Sequence, residues 1–213
     1  IRRMVDAAYS NKDGGMLLLM LDWAKAFDRI KPDIMCEALL RFGFPVDIVS
    51  MIKGIYSARY FTIVDHTGPS SERQQKAGIA QGCPLSPYLF IAVQTVMLHD
   101  ALGSITYDPD PEHIVTRDIL YADDTLLASQ STRNLQNMMN AIVDEGTKYG
   151  LELNWDKTLQ MQICTNETIC QPNGEHIKAV RDAVYLGGLI TCDARSSAEL
   201  SRRLGEALSL IHI

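Results

Sequence analysis

The sequence predicts an α+β fold, an antiparallel sheet backed by helices, and three observations support this class. Met16–Leu21 is a continuous apolar run, which is typical of a strand buried on both faces. Short apolar runs on either side of Asp123 and Asp124 predict a β-hairpin with acid at its tip, because Asp tolerates turn geometry. Apolar residues recur at helical spacing elsewhere, and 46% hydrophobic residues among 213 can build a substantial core.

Helices are predicted before and after the early strand. Residues 1–10 form a short helix that feeds the strand, and Pro32 begins a helix that Gly43 ends. Residues 60–65 then form a strand that pairs with residues 73–79 through the loop 67–71. Between these elements Pro45 begins another helix, whose buried side is expected to carry Val46, Val49, Ile52, Ile55 and Tyr56.

The second half of the chain continues the alternation. Residues 78–87 predict a constrained turn entering a helix over 88–98, and an amphipathic helix is predicted between Ser131 and Gly150. We expect a hairpin loop at 164–174, and over 184–190 either a strand pair or a strand with a bend at the glycines. A final helix begins near Ser196. Its exposed face is expected to carry Glu199, Arg202, Arg203 and Glu206, and its other face Leu200, Leu204 and Leu208.

The carboxylates of Asp22, Asp123 and Asp124 are the candidate metal ligands. Asp22 ends the buried strand, and it meets the other two if that strand lies beside the hairpin. Carboxylates about 4 Å apart repel by roughly 4 kcal/mol at an effective dielectric near 20, so protons or cations must be present. Oxygen ligands without His or Cys select Mg²⁺ first and Mn²⁺ second. An Asp pair alone is more often turn chemistry, and Asp22 is what favours a metal site.

Two such ions are what phosphoryl transfer between nucleotides requires, and nearby residues acquire roles if the site has that function. Phe27 would close off the space of a ribose 2′ hydroxyl and select deoxynucleotides, although an aromatic equally suits the core. Gly82 would allow close backbone approach of a ligand and Gln81 would offer its amide, although this segment equally suits an ordinary helix start. Lys157 would donate a proton or charge to leaving pyrophosphate, although a turn lysine is usually only solvated.

Composition limits these functions. The net charge of −6 opposes nucleic-acid binding by the chain on its own, so we expect basic parts of a parent protein outside it. Five cysteines without a Cys-x-x-Cys pair indicate neither a zinc site nor a disulfide framework, and they favour a reducing intracellular compartment. No apolar run approaches the ~18 residues of a membrane span. The start Ile1-Arg2-Arg3-Met4 predicts a fragment, because it is neither a signal peptide nor a translation start.

Three motifs occur in order along the chain. They are Leu21-Asp22-Trp23-Ala24-Lys25-Ala26-Phe27-Asp28, Gln81-Gly82-Cys83-Pro84-Leu85-Ser86-Pro87 and Tyr121-Ala122-Asp123-Asp124. Together they resemble the reverse transcriptases of non-LTR (LINE-type) retrotransposons. Residues 150–158 are similar to the fourth palm motif of that family, and Tyr185-Leu186-Gly187 to its primer-grip region.

The resemblance implies a right-hand polymerase palm with part of the fingers and with the thumb largely absent. Residues 1–191 would be the reverse transcriptase domain, with a fingers-side segment at about 31–80, and residues 192–213 the start of a thumb helix. The implied enzyme is an RNA-directed DNA polymerase with two Mg²⁺ ions at Asp22, Asp123 and Asp124 and with Lys157 as a catalytic residue. The implied substrate-binding residues are Phe27, Gln81, Gly82, Trp23, Ala24, Lys25, Ala26 and Tyr121.

The implied partners are an RNA template, a DNA primer, dNTPs and the remainder of a parent polyprotein, with no membrane. That remainder would include the fingers and the thumb. Whether it also includes an endonuclease is left open. The implied location is intracellular, in the nucleus, with a cytoplasmic ribonucleoprotein stage.

Two departures from the family pattern leave alternatives open. Ala80 stands where the family often has a basic residue before Gln-Gly, which puts one template or nucleotide contact in doubt. We expect the amino-terminal fingers to lie outside this sequence, and on that expectation the isolated fragment would be inactive. A catalytically inactive retroelement remnant and a group II intron maturase-type reverse transcriptase are the alternatives. An RNA-dependent RNA polymerase is disfavoured because Phe27 is the wrong gate for ribonucleotides.

Overall fold

The computed structural model describes residues 1–10, 15–105, 116–121 and 124–211. Their contacts divide the chain into two compact units. The first unit comprises Ile1–Asp22, Tyr107–Asn137 and Asn154–Ile213, and the second comprises Trp23–Thr106 and Met138–Leu153. No helix in the described ranges is both long and apolar enough to cross a membrane.

Helices occur together with a sheet whose strands pair mainly antiparallel, as the predicted α+β class requires. In chain order the elements are α1 (Arg2–Ser10), β1 (Met16–Leu21), α2 (Ala26–Arg29), α3 (Pro32–Phe42), α4 (Val46–Ser57), β2 (Tyr60–Phe61), β3 (Val64–Asp65), β4 (Gly68–Pro69), β5 (Arg73–Gln74), α5 (Ser86–Gly103), β6 (Thr116–Tyr121), β7 (Asp124–Ser129), α6 (Thr132–Lys148), β8 (Leu159–Ile163), β9 (Lys178–Val180), β10 (Asp182–Tyr185), β11 (Gly188–Thr191) and α7 (Ser197–Ile211).

The first unit is built on a five-stranded sheet with the order β6-β7-β1-β8-β9. Strand β1 lies at its centre, pairs antiparallel with β7 and β8, and is buried at all six residues, as its apolar run predicts. Strands β6 and β7 form the predicted hairpin. Strands β8 and β9 pair in parallel, so the prediction of a hairpin loop at 164–174 is wrong: that segment is part of a crossover connection.

One face of this sheet carries the apolar core of the first unit. Because side chains alternate along a strand, Met16, Leu18 and Met20 share a face. They join a buried cluster with residues from the neighbouring strands, from α1 and from the β10–β11 hairpin. The same alternation puts the next residue of this series, Asp22, at the rim of that apolar face.

Of the two alternatives for residues 184–190, the β10–β11 hairpin confirms the strand pair, with its turn one residue before the two glycines. Leu186 and Gly187 both have positive φ, 50° and 75°, which is the pattern of a two-residue type I′ turn. Helix α7 packs on this hairpin through its polar face. Glu199 accepts the Leu189 N–H at 3.0 Å, and Arg202 donates to the Gly187 carbonyl at 2.7 Å.

The prediction that the charged face of α7 is exposed is therefore wrong for Glu199 and Arg202. Their side chains are 19% and 26% exposed, whereas Leu200, Leu204 and Leu208 are 61%, 55% and 55% exposed. The backbone N–H and C=O groups at the hairpin need hydrogen-bonding partners, and the charged side chains provide them.

The second unit contains the helices α3, α4 and α5, and α3 packs against both of the others. Gly43 ends α3 as predicted, with φ 105° and its N–H bonded to the Leu39 and Leu40 carbonyls. On α4 the expected buried side is only partly correct, because Val46 and Ile55 are exposed. The predicted hairpin after α4 exists as two short ladders, β2 with β5 and β3 with β4, so its turn lies at 66–67 and not at 67–71.

Candidate functional site

Asp22 directly follows β1, and the turn at residues 154–158 holds its backbone on both sides. The Asn154 N–H donates to the Asp22 carbonyl at 2.8 Å, and the Asp22 N–H donates to Thr158 Oγ1 at 3.5 Å. Thr158 is fully buried, and its hydroxyl donates to the Asn154 carbonyl at 2.9 Å. Backbone contacts thus fix the position of Asp22. Its half-buried carboxylate has no hydrogen-bond or ion-pair partner among the described residues.

Asp124 is the first residue of β7 and lies opposite Tyr121, the last residue of β6. In the pairing of β1 with β7, Leu21 lies opposite Thr125. Extended by one residue beyond the end of β1, that antiparallel register would place Asp22 opposite Asp124. Directly opposite residues in a sheet point to the same face with Cβ atoms about 5 Å apart. The early strand thus lies beside the hairpin, as the prediction required, and Asp22 and Asp124 lie at the same end of neighbouring strands. Their role as metal ligands stays a prediction.

Tyr185 supports the hairpin that carries Asp124. Its hydroxyl lies 3.4 Å from both the Ile119 carbonyl and the Asp124 carbonyl, so it bridges the two strands of the hairpin. Burial, followed by the negative charge of Asp124, raises the pKa of Tyr185 to about 12. The phenol therefore stays protonated and keeps its hydrogen-bond donor over the physiological pH range.

Asp123, the third predicted ligand, lies outside the described residues, as does Ala122. Within the described ranges no three His, Cys, Asp or Glu residues are grouped closely enough to hold a metal ion. The donors that the structure does describe, the carboxylates of Asp22 and Asp124, offer oxygen alone. Such donors fit Mg²⁺ or Mn²⁺ and disfavour the softer transition metals.

Lys157 lies in the same turn that holds Asp22. Its N–H donates to the Asn154 carbonyl at 3.1 Å, and its side chain is exposed. The ammonium group has no ion-pair partner among the described residues. Its backbone is therefore fixed close to the Asp22 backbone while its charged end remains free to meet a ligand.

The motif that follows Asp22 lies in the second unit. Trp23 and Ala26 are buried, Ala24 is partly buried and Lys25 is exposed with a left-handed backbone at φ 52°. The indole of Trp23 packs against the backbone of Gly146, where an added Cβ would come within 3.1 Å of the ring. Because both side chains are buried, the substrate-binding role expected of Trp23 and Ala26 would involve their backbone atoms. That role stays a prediction.

Phe27 is stacked on the buried ring of Phe90 from α5, with ring centroids 4.6 Å apart and planes inclined by 22°. Its carbonyl accepts the Ile79 N–H at 2.6 Å. Stacking on a buried ring favours one orientation of the Phe27 ring. Phe27 is partly buried, so it combines the structural role of a core aromatic with a fixed edge at the surface of the second unit.

Gln81 and Gly82 lie in the turn before α5. The Gln81 amide donates to Asp28 Oδ1 at 3.0 Å, so the predicted ligand-binding amide has a protein partner in this structure. Gly82 has φ 79°, and an added Cβ would meet no atom within 4 Å. Its backbone is thus open to approach. The Ser86 hydroxyl donates to the Ala80 carbonyl at 2.5 Å and fixes the turn against the start of α5.

Sequence reasoning missed the residues that position the acids without binding a ligand. Thr158 and Asn154 hold the Asp22 backbone, and Tyr185 holds the strand of Asp124. All three lie in segments that the motif comparison had singled out. The hydroxyls of Thr158 and Tyr185 were the available signal in the sequence. Which backbone group each hydroxyl bonds depends on the strand register, which the sequence does not give.

A sequence profile of the reverse transcriptase (RNA-dependent DNA polymerase) family matches residues 2–189. The chain is 28% identical over 162 residues to the Pol polyprotein from the type-1 retrotransposable element R2 of Popillia japonica, covering 73% of this chain and 22% of that protein. It is 28% identical over 143 residues to the Pol polyprotein from the type-2 retrotransposable element R2DM of Drosophila melanogaster, covering 67% and 13%. The chain thus spans less than a quarter of these relatives.

Among solved structures, the fold resembles telomerase from Candida tropicalis in complex with a fragment of telomeric RNA. The TM-score is 0.64 over 90% of this chain and 31% of that one, at 13% sequence identity. At this identity the likeness concerns the fold, and it confirms the predicted palm-type α+β class. Members of the matched sequence family generally use divalent metal ions, in agreement with the oxygen donors of Asp22 and Asp124. The resemblance to non-LTR retrotransposon reverse transcriptases is confirmed, and the chain belongs to the reverse transcriptase family.

Proposed function

We propose that this chain is the palm region of an RNA-directed DNA polymerase that adds dNTPs to a DNA primer on an RNA template during retrotransposition. The observation that carries the proposal is the convergence of Asp22 and Asp124 at one end of two neighbouring strands. The family match supports the reaction, and the retrotransposable elements named among the relatives support the biological setting.

Asp22, Asp123 and Asp124 would hold two Mg²⁺ ions, with Mn²⁺ as the alternative. When bound, such ions activate a primer 3′ hydroxyl and neutralise charge on the leaving pyrophosphate. The protein contributes by holding the metal-binding carboxylates in place. Asp22 is held through its backbone by the turn at 154–158, and Asp124 through the carbonyl contact with Tyr185. Ligands held in this way lose little conformational entropy when a cation binds.

Lys157 and Phe27 would act on the nucleotide. Lys157 would donate a proton or charge to pyrophosphate, and its exposed ammonium group on the turn beside Asp22 supports this role. Phe27 would exclude a ribose 2′ hydroxyl, and the stacking on Phe90 that fixes its ring supports this role. Gly82 would contact the substrate through its open backbone, whereas Gln81 would have to exchange Asp28 for the nucleotide.

The partners in this proposal are the RNA template, the DNA primer, dNTPs and the remainder of the parent polyprotein. The short coverage of the relatives supports a larger parent. We further place the reaction in the nucleus, with a cytoplasmic ribonucleoprotein stage, because a retrotransposable element inserts its DNA copy into chromosomes. Imaging of the tagged parent protein tests this, and exclusion from the nucleus at all stages would contradict it.

The central test is primer extension on poly(rA)/oligo(dT) by the full-length parent protein with Asp123→Asn. Loss of one metal ligand removes several kcal/mol of charge stabilisation, so we expect the rate to fall by about 1,000-fold. Asp118→Asn is the matched control, because Asp118 is an exposed carboxylate on the same hairpin. It should change the rate by less than about twofold. An Asp123→Asn variant as fast as the wild type would refute the metal-binding role.

A catalytically inactive remnant is the alternative outcome, and calorimetry separates it from the polymerase. Mg²⁺ is titrated into the chain alone, with dNTP, and with dNTP and a primer–template duplex. A polymerase palm binds nucleotide in a metal-dependent manner. Absence of any metal-dependent nucleotide binding, together with no primer extension by the parent, would favour the remnant.

A further inference from the structure

The guanidinium of Arg59 lies beside the Gln81-Gly82 turn, and one of its nitrogens has no hydrogen-bond partner among the described residues. Arg59 follows α4, and its guanidinium carbon lies 5.1 Å from the centroid of the Tyr56 ring. Its Nη1 atom is buried and has no hydrogen-bond acceptor among the described residues. The guanidinium likewise makes no ion pair within the described ranges. A buried donor without an acceptor is rare in folded proteins, and an ion or ligand outside the chain is a common explanation.

Tyr56 connects this guanidinium to the turn. Tyr56 is buried, its ring face lies under Arg59, and its hydroxyl accepts the Ala80 N–H at 3.4 Å. The cation–π contact and the hydrogen bond therefore act through the same side chain. The charge of Arg59 also reaches Cys83, whose pKa is lowered first by the backbone N–H of Leu85 and to a smaller extent by Arg59. Arg59 thus lies against the turn on its Ala80 side.

The turn itself supplies no positive charge. Ala80 is uncharged, Gly82 offers open backbone, and the Gln81 amide is bonded to Asp28. Arginine is the side chain best suited to bind phosphate, because its planar fork offers several N–H donors in a fixed geometry. An unpaired guanidinium beside an open glycine turn has the chemistry of a phosphate site.

We propose that Arg59 provides, from the end of α4, the phosphate contact that a basic residue at position 80 would otherwise make. This inference rests on the proposed function, since the phosphate belongs to the template strand or to the incoming dNTP. It assigns a binding role to a residue that none of the three motifs contains. The phosphate contact is then made from position 59, and the uncharged side chain at position 80 does not mean that the contact is lost.

The test measures binding to the 213-residue chain with three probes: a fluorescein-labelled single-stranded RNA, dTTP with Mg²⁺, and inorganic tripolyphosphate. Arg59→Gln should weaken at least one probe by about tenfold, the value of one charge-assisted contact. If the phosphate belongs to the template, the salt dependence of RNA binding should also fall by about 0.7 in its logarithmic slope. If it belongs to the nucleotide, dTTP and tripolyphosphate should weaken while RNA does not.

The controls separate a local contact from overall charge. Arg73→Gln removes the same charge from an exposed position on β5 and should weaken each probe by less than about twofold. Arg59→Lys keeps the charge, and we expect it to retain part of the affinity. Ala80→Arg added to Arg59→Gln should restore most of the lost affinity. Circular dichroism melting of each variant checks that the fold is intact, and Arg59→Lys replaces Arg59→Gln if the latter is unfolded.

Any one of four results would overturn the inference. The first is that Arg59→Gln binds all three probes like the wild type, and the second is that Arg73→Gln loses as much affinity as Arg59→Gln. The third is that Ala80→Arg restores no affinity, and the fourth is that the wild-type chain binds no probe. These outcomes are independent of primer extension. A parent protein that fails to extend primers while its Arg59-dependent phosphate binding persists would overturn the proposed function and leave the Arg59 contact standing.

Discussion

Replacement of Thr158 by valine tests whether the turn at 154–158 holds Asp22. Thr158 is fully buried, and valine has nearly the same shape without the hydroxyl. The substitution removes Oγ1, which accepts the Asp22 N–H at 3.5 Å and donates to the Asn154 carbonyl at 2.9 Å. That carbonyl keeps the Lys157 and Thr158 backbone donors, so the Asp22 N–H is the group left without an acceptor.

An unsatisfied buried donor costs about 1–3 kcal/mol. The lower end applies here, because Asp22 is only half-buried and its bond to Thr158 is long. We therefore expect Thr158→Val to lower the free energy of unfolding by about 1 kcal/mol. With a urea m-value of about 2.5 kcal/mol/M, that loss shifts the unfolding midpoint by about 0.4 M.

Urea denaturation of the chain measures the midpoint, with Thr147→Val as the matched control. The Thr147 hydroxyl donates to the Val143 carbonyl at 3.0 Å on an exposed part of α6, where water can replace it. Its loss should move the midpoint by no more than about 0.1 M. With the proposed polymerase activity, Thr158→Val in the parent protein should also lower the primer-extension rate by about tenfold, because small displacements of a catalytic group are costly. Equal midpoints and equal rates for the two variants would refute the holding role.

Two further predictions concern the second unit. Asp100 accepts two N–H groups of Arg41 and the Tyr149 hydroxyl, and the bond from Arg41 is the main cause that lowers the pKa of Asp100 to about 2. Its ionised form therefore stabilises the fold above pH ~4, and the effect is lost as pH falls through about 2. Asp100→Asn should lower the free energy of unfolding by about 1–2 kcal/mol at pH 7 and by progressively less towards pH 2, measured by urea denaturation across that range; a constant difference would contradict the assignment. In the parent, Phe27→Ala should raise rNTP relative to dNTP incorporation by at least about tenfold in single-nucleotide extension, and an unchanged ratio would contradict the gate.

The sheet of the first unit could be predicted because its central strand is marked by composition alone. Six consecutive apolar residues in β1 are typical of a strand buried on both faces, and the hairpin of β6 and β7 is marked by acids between apolar runs. Which strands neighbour β1 is not encoded locally. The parallel pairing of β8 with β9 was missed for this reason, because polar residues between two strands look alike in a hairpin loop and in a crossover.

Helix α7 shows where periodicity stops being informative. The pattern separates a leucine face from a charged face correctly, but it does not reveal which face packs. In the structure Glu199 and Arg202 bind backbone groups of the β10–β11 hairpin. Arg202 also donates to Glu199, and this bond is the first cause that lowers the pKa of Glu199 to about 2. Hydrogen bonding of charged side chains to a neighbouring turn therefore overrides the usual preference for burying leucine.

The candidate site was predictable in its acids and unpredictable in its supports. Asp22 and Asp124 stand out because a carboxylate at the end of a buried strand is unusual, and the register of β1 with β7 brings them together. Thr158 and Tyr185 have no comparable signal. Each acts through a single hydroxyl on a backbone group far away in sequence, and that contact exists only once the strands are in register.

The net charge of −6 was the strongest compositional objection to a nucleic-acid enzyme, and ion pairing within the chain does not change it, so the positions of the unpaired charges matter more than their sum. Many acids are paired with neighbouring bases, as in Arg2–Asp6, Arg29–Glu152, Arg41–Asp100, Lys53–Asp33 and Arg202–Glu206. Exposed charges without a partner are solvated by water, so they say little about function. A partly buried charge without a partner costs free energy, because it has lost part of its hydration. Within the described ranges Asp22 and the buried Nη1 of Arg59 are of the costly kind. The Asp22 carboxylate would attract a cation, and the Arg59 guanidinium would attract a phosphate. These two unsatisfied charges therefore fit the binding of a nucleotide and its metal ions, which the net charge alone does not indicate.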